Sequence, residues 1–215
     1  MMRTIPALFV LAACSSDPAP VSPSEAGVDG AAPLGDASTD GGSVSDARPV
    51  TGPHLVFVST TTGAGSTWGA HAGDAICAKD AKAAGLGDRT FVAWVSTAGD
   101  LAVDRLPDGV AWYVPDAQAP GPATQAFASR AALRTSPPAV AINRLAGGGA
   151  APLRSVWTGL DQTRNAALDC DGWRLGNVSA AGNVGIVAST SVTWTAQDAV
   201  ACDVALPVYC FDVTP

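Results

Sequence analysis

Three short runs of apolar and β-branched residues mark the strands that the chain predicts. They cover residues 54–59, 90–95 and 110–114, and each is about as long as an ordinary strand. The glycine- and threonine-rich residues 60–65 follow the first run, and Pro115 follows the third. Such residues are typical of turns, so the pattern predicts strands of a sheet joined by turns and loops.

A different spacing over residues 72–84 predicts the main helix. The segment is rich in alanine, and Ile76, Asp80 and Ala84 share one helical line. Gly85 follows directly, which is typical of the end of a helix. A short second helix is predicted over residues 125–133, and a loop over residues 137–149.

The hydropathy pattern of the N-terminus indicates processing rather than folding. An apolar run over residues 5–13 follows Arg3, and Leu11-Ala12-Ala13-Cys14 fits the lipobox of bacterial lipoproteins. We therefore expect residues 1–13 to be a signal peptide and Cys14 to be acylated. Ser15 after the cysteine favours sorting to the outer membrane, so we expect a lipid-anchored protein exposed at the cell surface.

Residues 14–53 are expected to be the acylated cysteine followed by a disordered tether. The stretch after Cys14 is rich in Ala, Pro, Ser, Gly and Asp, has no aromatic residue, and holds six acids against one arginine. Such a composition buries too little apolar surface to offset the entropy of the chain. The folded domain is therefore expected over residues 54–215.

The charge of that domain excludes one class of partner. Residues 54–215 carry ten basic and thirteen acidic side chains, with no glutamate and two lysines. A basic surface of the kind that nucleic acid requires is not expected from this balance. The membrane is expected to be a partner only through the lipid anchor.

Aromatic and cysteine residues concentrate in residues 156–211. This stretch holds three of the six tryptophans and three of the five cysteines. Large aromatic side chains and disulfides are what a loop-rich domain in an oxidising compartment needs for its core. Acylation of Cys14 leaves an even number of thiols, for which the sequence permits three pairings: Cys77, Cys170, Cys202 and Cys210.

These motifs together resemble the endostatin domain found at the ends of certain collagens, and endostatin-like outer-surface lipoproteins of spirochaetes. The N-terminal half of the resemblance rests on residues 69–86, with Asp74 and Cys77, then Phe91-Val92-Ala93-Trp94 and Ser96. The C-terminal half rests on Val156, Trp157, Gly159, Asp161, Cys170, Trp173, Cys202, Val208 and Cys210.

The resemblance implies an α+β fold of the C-type-lectin-like class. Its expected parts are a mixed twisted sheet, one main helix, a large loop region and two disulfides. The pairing that the resemblance implies is nested, with Cys77–Cys210 enclosing Cys170–Cys202.

Candidate catalytic and metal sites are sparse. A hydrolase of the Ser-His-Asp kind needs a partnered histidine, and the chain offers His54 and His71 without a nucleophile motif beside either. His54 matches one zinc ligand of animal endostatin, but the family's other positions fall at Val44 and Asp46, and valine cannot coordinate zinc. We expect no enzyme activity, no cofactor and no metal.

Two further features bear on binding. Asp169 and Asp171 flank a cysteine and are interpreted as turn formers rather than calcium ligands. Most tryptophans are expected in the core, with Trp68 and Trp112 partly exposed. The candidate ligand-binding residues are arginines of the loop region: Arg130, Arg134, Arg144, Arg154 and Arg164.

The leading functional hypothesis is a surface-displayed, lipid-anchored binding module without catalytic activity. Its partner is expected to be an extracellular protein or glycan, because loops on a braced scaffold bind without disturbing the core. One alternative is a structural envelope lipoprotein without a specific ligand. A secreted hydrolase is a third, which the lack of a histidine-based motif disfavours.

Replacing Cys14 by alanine should release the protein from the membrane fraction, because the acylated thiol is lost. Detergent partitioning and the mass of the N-terminal peptide measure the effect. Ser15→Ala, which keeps the cysteine, should partition as the unaltered protein does. Unchanged partitioning of Cys14→Ala, together with an N-terminal peptide without acyl mass, would contradict the lipoprotein interpretation.

Overall fold

In the computed structural model, which describes residues 52–69, 71–116 and 123–215, the chain forms three helices and eight strands. The helices are α1 (Ala72–Ala83), α2 (Arg130–Thr135) and α3 (Cys170–Trp173), the last a single turn whose four residues all have positive φ. The first four strands are β1 (His54–Val58), β2 (Phe91–Ala93), β3 (Trp112–Val114) and β4 (Thr124–Phe127). The others are β5 (Ser155–Trp157), β6 (Ala181–Ile186), β7 (Asp198–Ala201) and β8 (Tyr209–Asp212). None of the helices in these residues combines the length and hydropathy that a membrane span requires.

The strands form two sheets. The larger one has the order β2-β8-β1-β3-β4, and the smaller one, β5-β6-β7, is antiparallel throughout. In the larger sheet β1 runs parallel to β3 and antiparallel to β8, so the sheet is mixed. The expected α+β architecture with a mixed sheet and one main helix is therefore confirmed.

Strand β8 divides the core into two groups of buried side chains. Phe211 packs on one side with Trp94 and Trp112, whereas Cys210 belongs to the group on the other side. All four residues of β8 are buried. Successive side chains of a strand point to opposite faces, so both faces of this central strand are covered.

All six tryptophans lie in this core. The expectation that Trp68 and Trp112 are partly exposed is wrong, since their exposed fractions are 1% and 0%. The indole nitrogens of these two residues find backbone acceptors inside the protein: Trp68 Nε1 donates to Gly63 O at 3.3 Å and Trp112 Nε1 to Asp212 O at 2.9 Å. Burying an indole whose N–H has a hydrogen-bond partner costs little free energy, so both rings can be buried completely.

Helix α1 follows the prediction closely. Its end is a Schellman motif, in which Leu86 N donates to Ala81 O and Gly85 N to Lys82 O. Gly85 has a φ of 81°, a conformation that glycine adopts without steric cost. On the buried face, Asp80 accepts hydrogen bonds from the backbone nitrogens of the turn after β1, at 2.7 and 2.9 Å.

The helix predicted over residues 125–133 is wrong in its first half. Thr124–Phe127 is strand β4, which pairs antiparallel with β3, and Phe127 is buried beside Trp112. The helix begins only at Arg130, because Ser129 caps it by accepting from Ala132 N at 3.1 Å. Pairing with β3 thus outweighs the helical propensity of the local sequence.

The two disulfides are the nested pair that the resemblance implied. Cys77 of α1 is joined to Cys210 of β8, with 5.6 Å between the Cα atoms. Cys170 of α3 is joined to Cys202, with 5.8 Å between the Cα atoms. Closing the longer loop, of 133 residues, contributes about 5 kcal/mol in the chain-entropy model.

Replacing Asp212 by alanine should lower the free energy of unfolding by about 3–5 kcal/mol. Its carboxylate is fully buried and accepts from Arg89 Nη1 at 2.6 Å and from Thr214 Oγ1 at 2.6 Å. The substitution leaves the Arg89 guanidinium without this partner. Urea unfolding measures the loss.

Asp203→Ala is the matched control for this prediction. Asp203 is exposed, so its replacement should change the free energy of unfolding by less than about 0.5 kcal/mol. Equal, small losses for the two variants would show that the buried ion pair contributes little to folding.

Candidate functional site

A hollow in the described residues lies beside the first turn of α1. We call it the α1 depression. It has a volume of about 500 Å³ and lies between α1, the segment after β2, and α3. Its charged and aromatic lining consists of Trp68, His71, Asp74, Asp100, Arg105, Trp173 and Arg174.

The floor of the α1 depression is a fixed ion pair. Arg105 Nη1 donates to both oxygens of Asp74, at 2.9 and 3.0 Å, and Nη2 donates to Ala93 O at 2.5 Å. Asp74 Oδ1 also accepts from Ala93 N at 2.7 Å. These bonds tie α1 to β2, so Asp74 and Arg105 hold the floor in place.

The rim of the α1 depression offers polar groups to solvent. His71 is 60% exposed, and its imidazole nitrogens lie 3.3 Å from Asp74 Oδ2 and 3.9 Å from Asp100 Oδ2. Asp100 is 43% exposed. Arg174 is exposed as well, and its guanidinium has no hydrogen bond or ion pair within the described residues. A ligand therefore meets an imidazole, a carboxylate and a guanidinium at one opening.

Backbone strain concentrates around the same opening. Five non-glycine residues of the described ranges have positive φ, and four of them border or support the depression: His71, Cys170, Asp171 and Trp173, at 65°, 54°, 58° and 60°. L-residues in this conformation each cost roughly 1–2 kcal/mol. Strain of this kind persists where the surroundings hold it, and it is common at functional sites.

Contacts around α3 hold its backbone in this strained conformation. The Cys170–Cys202 disulfide fixes its first residue, and Asp169 Oδ1 accepts from Gly172 N at 2.9 Å. The indole of Trp173 is buried and donates to Ser96 O at 3.1 Å. The interpretation of Asp169 as a turn former is consistent with this bond.

The described residues contain no group of three or more His, Cys, Asp or Glu arranged to hold a metal ion. His54 lies at the start of β1, with Nδ1 3.7 Å from Asp212 Oδ1. Of the other positions in the family's zinc set, Val44 and Asp46 lie outside the described residues.

Three of the five candidate arginines lie around α2. Arg130 Nη2 donates to the Asp108 carboxylate at 2.5 Å, and Arg134 pairs with Asp104. Arg164 Nη1 donates to the backbone oxygen of Arg134 at 2.8 Å. Two of the three guanidinium groups are thus already paired with carboxylates of the same chain.

The other two arginines lie elsewhere. Arg144 forms an isolated antiparallel β-bridge with Ala150, and it lines a separate hollow together with Asp116. Arg154 is exposed just before β5. The structure therefore brings together Arg130, Arg134 and Arg164, and does not place all five on one patch.

Sequence reasoning missed the α1 depression. Its strained residues are histidine, cysteine, aspartate and tryptophan, none of which signals a positive φ as glycine does. A weak signal was present, because Gly69, Gly73 and Gly172 line the hollow. A Cβ on Gly69 or Gly73 would lie 2.5 or 2.7 Å from the nearest atom, so both glycines permit close packing around the opening.

No protein-family model matches the chain, and no curated protein matches it.

Replacing His71 by glycine should raise the free energy of unfolding by about 0.5 kcal/mol. The left-handed backbone costs histidine about 1 kcal/mol, which glycine avoids at a smaller cost in unfolded-chain entropy. Thermal or urea unfolding measures the gain. Ala72→Gly, one residue further along and inside α1, should instead lower stability by a similar amount. A loss at both positions would show that the contacts of the imidazole outweigh its strain.

Proposed function

We propose that this protein is a surface-displayed, lipid-anchored binding module of the endostatin-like, C-type-lectin-like class. It acts without catalysis, and its ligand is an extracellular protein or glycan. The acylated Cys14, which lies outside the described residues, holds it to the outer membrane. The nested disulfides, the mixed sheet and the single main helix support the membership in this class.

The strained α1 depression is the observation that carries the proposal. Its rim groups, His71, Asp100 and Arg174, supply donors and acceptors for a polar ligand at one open surface. The floor pair, Asp74 with Arg105, cannot rearrange without breaking its bonds to β2. A rigid floor below a polar rim allows a ligand to bind without the cost of ordering the site.

The rest of the fold explains how the domain keeps this strained site in place. Both walls of the depression are attached to covalent links, since α1 carries Cys77 and α3 carries Cys170. Loops braced in this way vary in sequence without loss of the core. The α1 depression is therefore the leading candidate for the surface that binds the ligand, and the arginines around α2 are the second candidate.

The proposal is tested with the full chain on arrays of extracellular matrix proteins and glycans, followed by calorimetry on any hit. His71→Asn, Asp100→Asn and Arg174→Ala should each weaken binding about tenfold, since each removes a group worth ~1.4 kcal/mol at the interface. Asparagine suits position 71 because it tolerates the left-handed backbone. Melting temperatures should stay near that of the unaltered protein.

Two further variants complete the design. Lys79→Ala removes an exposed charge of α1 that does not line the depression, and it should leave binding unchanged. Arg134→Ala tests the surface around α2. Binding that responds to Arg134→Ala and not to the three rim variants would place recognition at α2. Absence of any saturable ligand would favour a structural envelope lipoprotein.

A further inference from the structure

The loop between α3 and β6 carries a tripeptide with a specific chemical meaning. Asn177-Val178-Ser179 has the form Asn-x-Ser with a residue other than proline in the middle, which is the acceptor pattern for N-linked glycosylation. The chain has three other asparagines, and none of them has serine or threonine two residues later: Asn143, Asn165 and Asn183. The complete pattern is therefore present at Asn177 alone.

The whole tripeptide lies on the surface of the domain. All three of its residues are exposed, and Val178, at 75%, has the largest exposed fraction among the large apolar side chains of the described residues. Within those residues, the backbone nitrogens of residues 176–179 donate to no backbone oxygen. A modifying enzyme can therefore reach this loop without breaking the hydrogen bonds of a strand or helix.

The hydrogen bonds within the tripeptide leave the amide nitrogen of Asn177 open. Asn177 Oδ1 accepts from Ser179 Oγ at 2.6 Å and from Ser179 N at 3.0 Å. Because a backbone nitrogen can only donate, the Asn177 atom that faces it must be the amide oxygen. Asn177 Nδ2 has no hydrogen-bond partner within the described residues. The nitrogen to which a sugar would be attached thus belongs to an exposed residue and is unbonded.

Two of the other asparagines use their amide nitrogens inside the domain. Asn183 is half-buried, and its Nδ2 donates to Leu160 O at 3.0 Å. Asn165 is exposed, but its Nδ2 donates to Thr163 Oγ1 at 2.9 Å. Asn177 differs from both in its free nitrogen and in the hydroxyl that reaches its amide.

We propose that Asn177 is a glycosylation site and that its donor is an oligosaccharide carried on a lipid pyrophosphate. Asn177 Nδ2 forms a bond to the anomeric carbon of the first sugar and loses a proton to a base of the transferase. The bond from that carbon to the pyrophosphate oxygen breaks, and the lipid pyrophosphate leaves with the electron pair. Disulfides are typical of compartments outside the reducing cytosol, and the two disulfides of this domain agree with modification in such a compartment.

The attached glycan borders the α1 depression without filling it. Gly176 packs against its wall, since a Cβ at this position would lie 2.4 Å from Ser66 Oγ, and Ser66 lines the depression. Residues 175–179 do not line it themselves. The modification therefore does not depend on the recognition proposed above, and either proposal can fail alone.

The test is mass spectrometry of the full chain isolated from the organism that encodes it. After reduction, trypsin leaves residues 175–215 as one peptide, because no lysine or arginine follows Arg174. This peptide should carry the mass of an oligosaccharide, and fragmentation that preserves the glycan should place it on Asn177. The peptide of residues 165–174 contains the exposed Asn165 without the acceptor pattern, so it should have its unmodified mass.

Four variants, produced in the same organism, separate the acceptor pattern from exposure alone. Asn177→Gln keeps an amide but not the pattern, and it should lose the glycan. Ser179→Ala removes the hydroxyl that donates to Asn177 and should lose it too, whereas Ser179→Thr keeps a hydroxyl and should retain it. Asn165→Gln removes an exposed asparagine outside the pattern, and its glycan should match that of the unaltered protein.

Several results would overturn the proposal. One is an unmodified peptide of residues 175–215 in the protein from its own organism. Another is a glycan on a serine or threonine of that peptide, or a glycan that persists in Asn177→Gln. An unchanged glycan in Ser179→Ala would show that the pattern does not direct the modification. If Asn177→Gln does not fold, the position of the glycan in the unaltered protein and its loss in Ser179→Ala decide the question.

Discussion

The packing of β8 on both its faces is the constraint on which the rest of this domain depends. Each residue of the strand holds a different part of the chain. The carbonyl oxygen of Tyr209 accepts a hydrogen bond from Trp94 N at 2.8 Å, and Cys210 forms a disulfide with Cys77 of α1. Phe211 packs on Trp94 with a ring distance of 5.0 Å, and Asp212 anchors Arg89. Removing β8 would therefore disconnect the sheet, the helix and the aromatic core together.

This arrangement explains how strained loops persist on a domain of ordinary size. Natural domains are stable by only about 5–15 kcal/mol, so several left-handed L-residues are a substantial cost. Here the cost falls on residues that a disulfide, a buried indole or a closed turn fixes in place. The strain lies at the α1 depression and at Arg164. The strained surface residues thus depend on the rigid core that holds them.

The sequence predicted the elements whose signals are local. The strand at β1, the helix α1 and its stop at Gly85 follow from periodicity and from the backbone freedom of glycine. Strand β4 could not be predicted in this way, because pairing with β3 decides it and that pairing is not local. The disulfide pairing came from the resemblance to endostatin domains, since spacing alone left three possibilities open.

The candidate site was harder to predict than the fold, for a physical reason. Arginines spaced about ten residues apart say nothing about distances in space, and the structure pairs Arg130 and Arg134 with aspartates of the same chain. The incomplete bonding of Arg164 and the left-handed backbone of His71 depend on tertiary contacts. Neither leaves a mark in residue type, because an arginine or a histidine in a loop is ordinary.

Amide hydrogen exchange on the full chain, followed by mass spectrometry, tests most directly whether β8 organises the domain. Amides of β1 and β8 should exchange slowest, and only when the whole domain unfolds. Amides of the loop at Asp161–Asn165 and of the segment around Asp100 should exchange much sooner while β8 stays protected. Exchange of β8 as fast as that of these loops would contradict the account, because the strand would then open without the rest of the core.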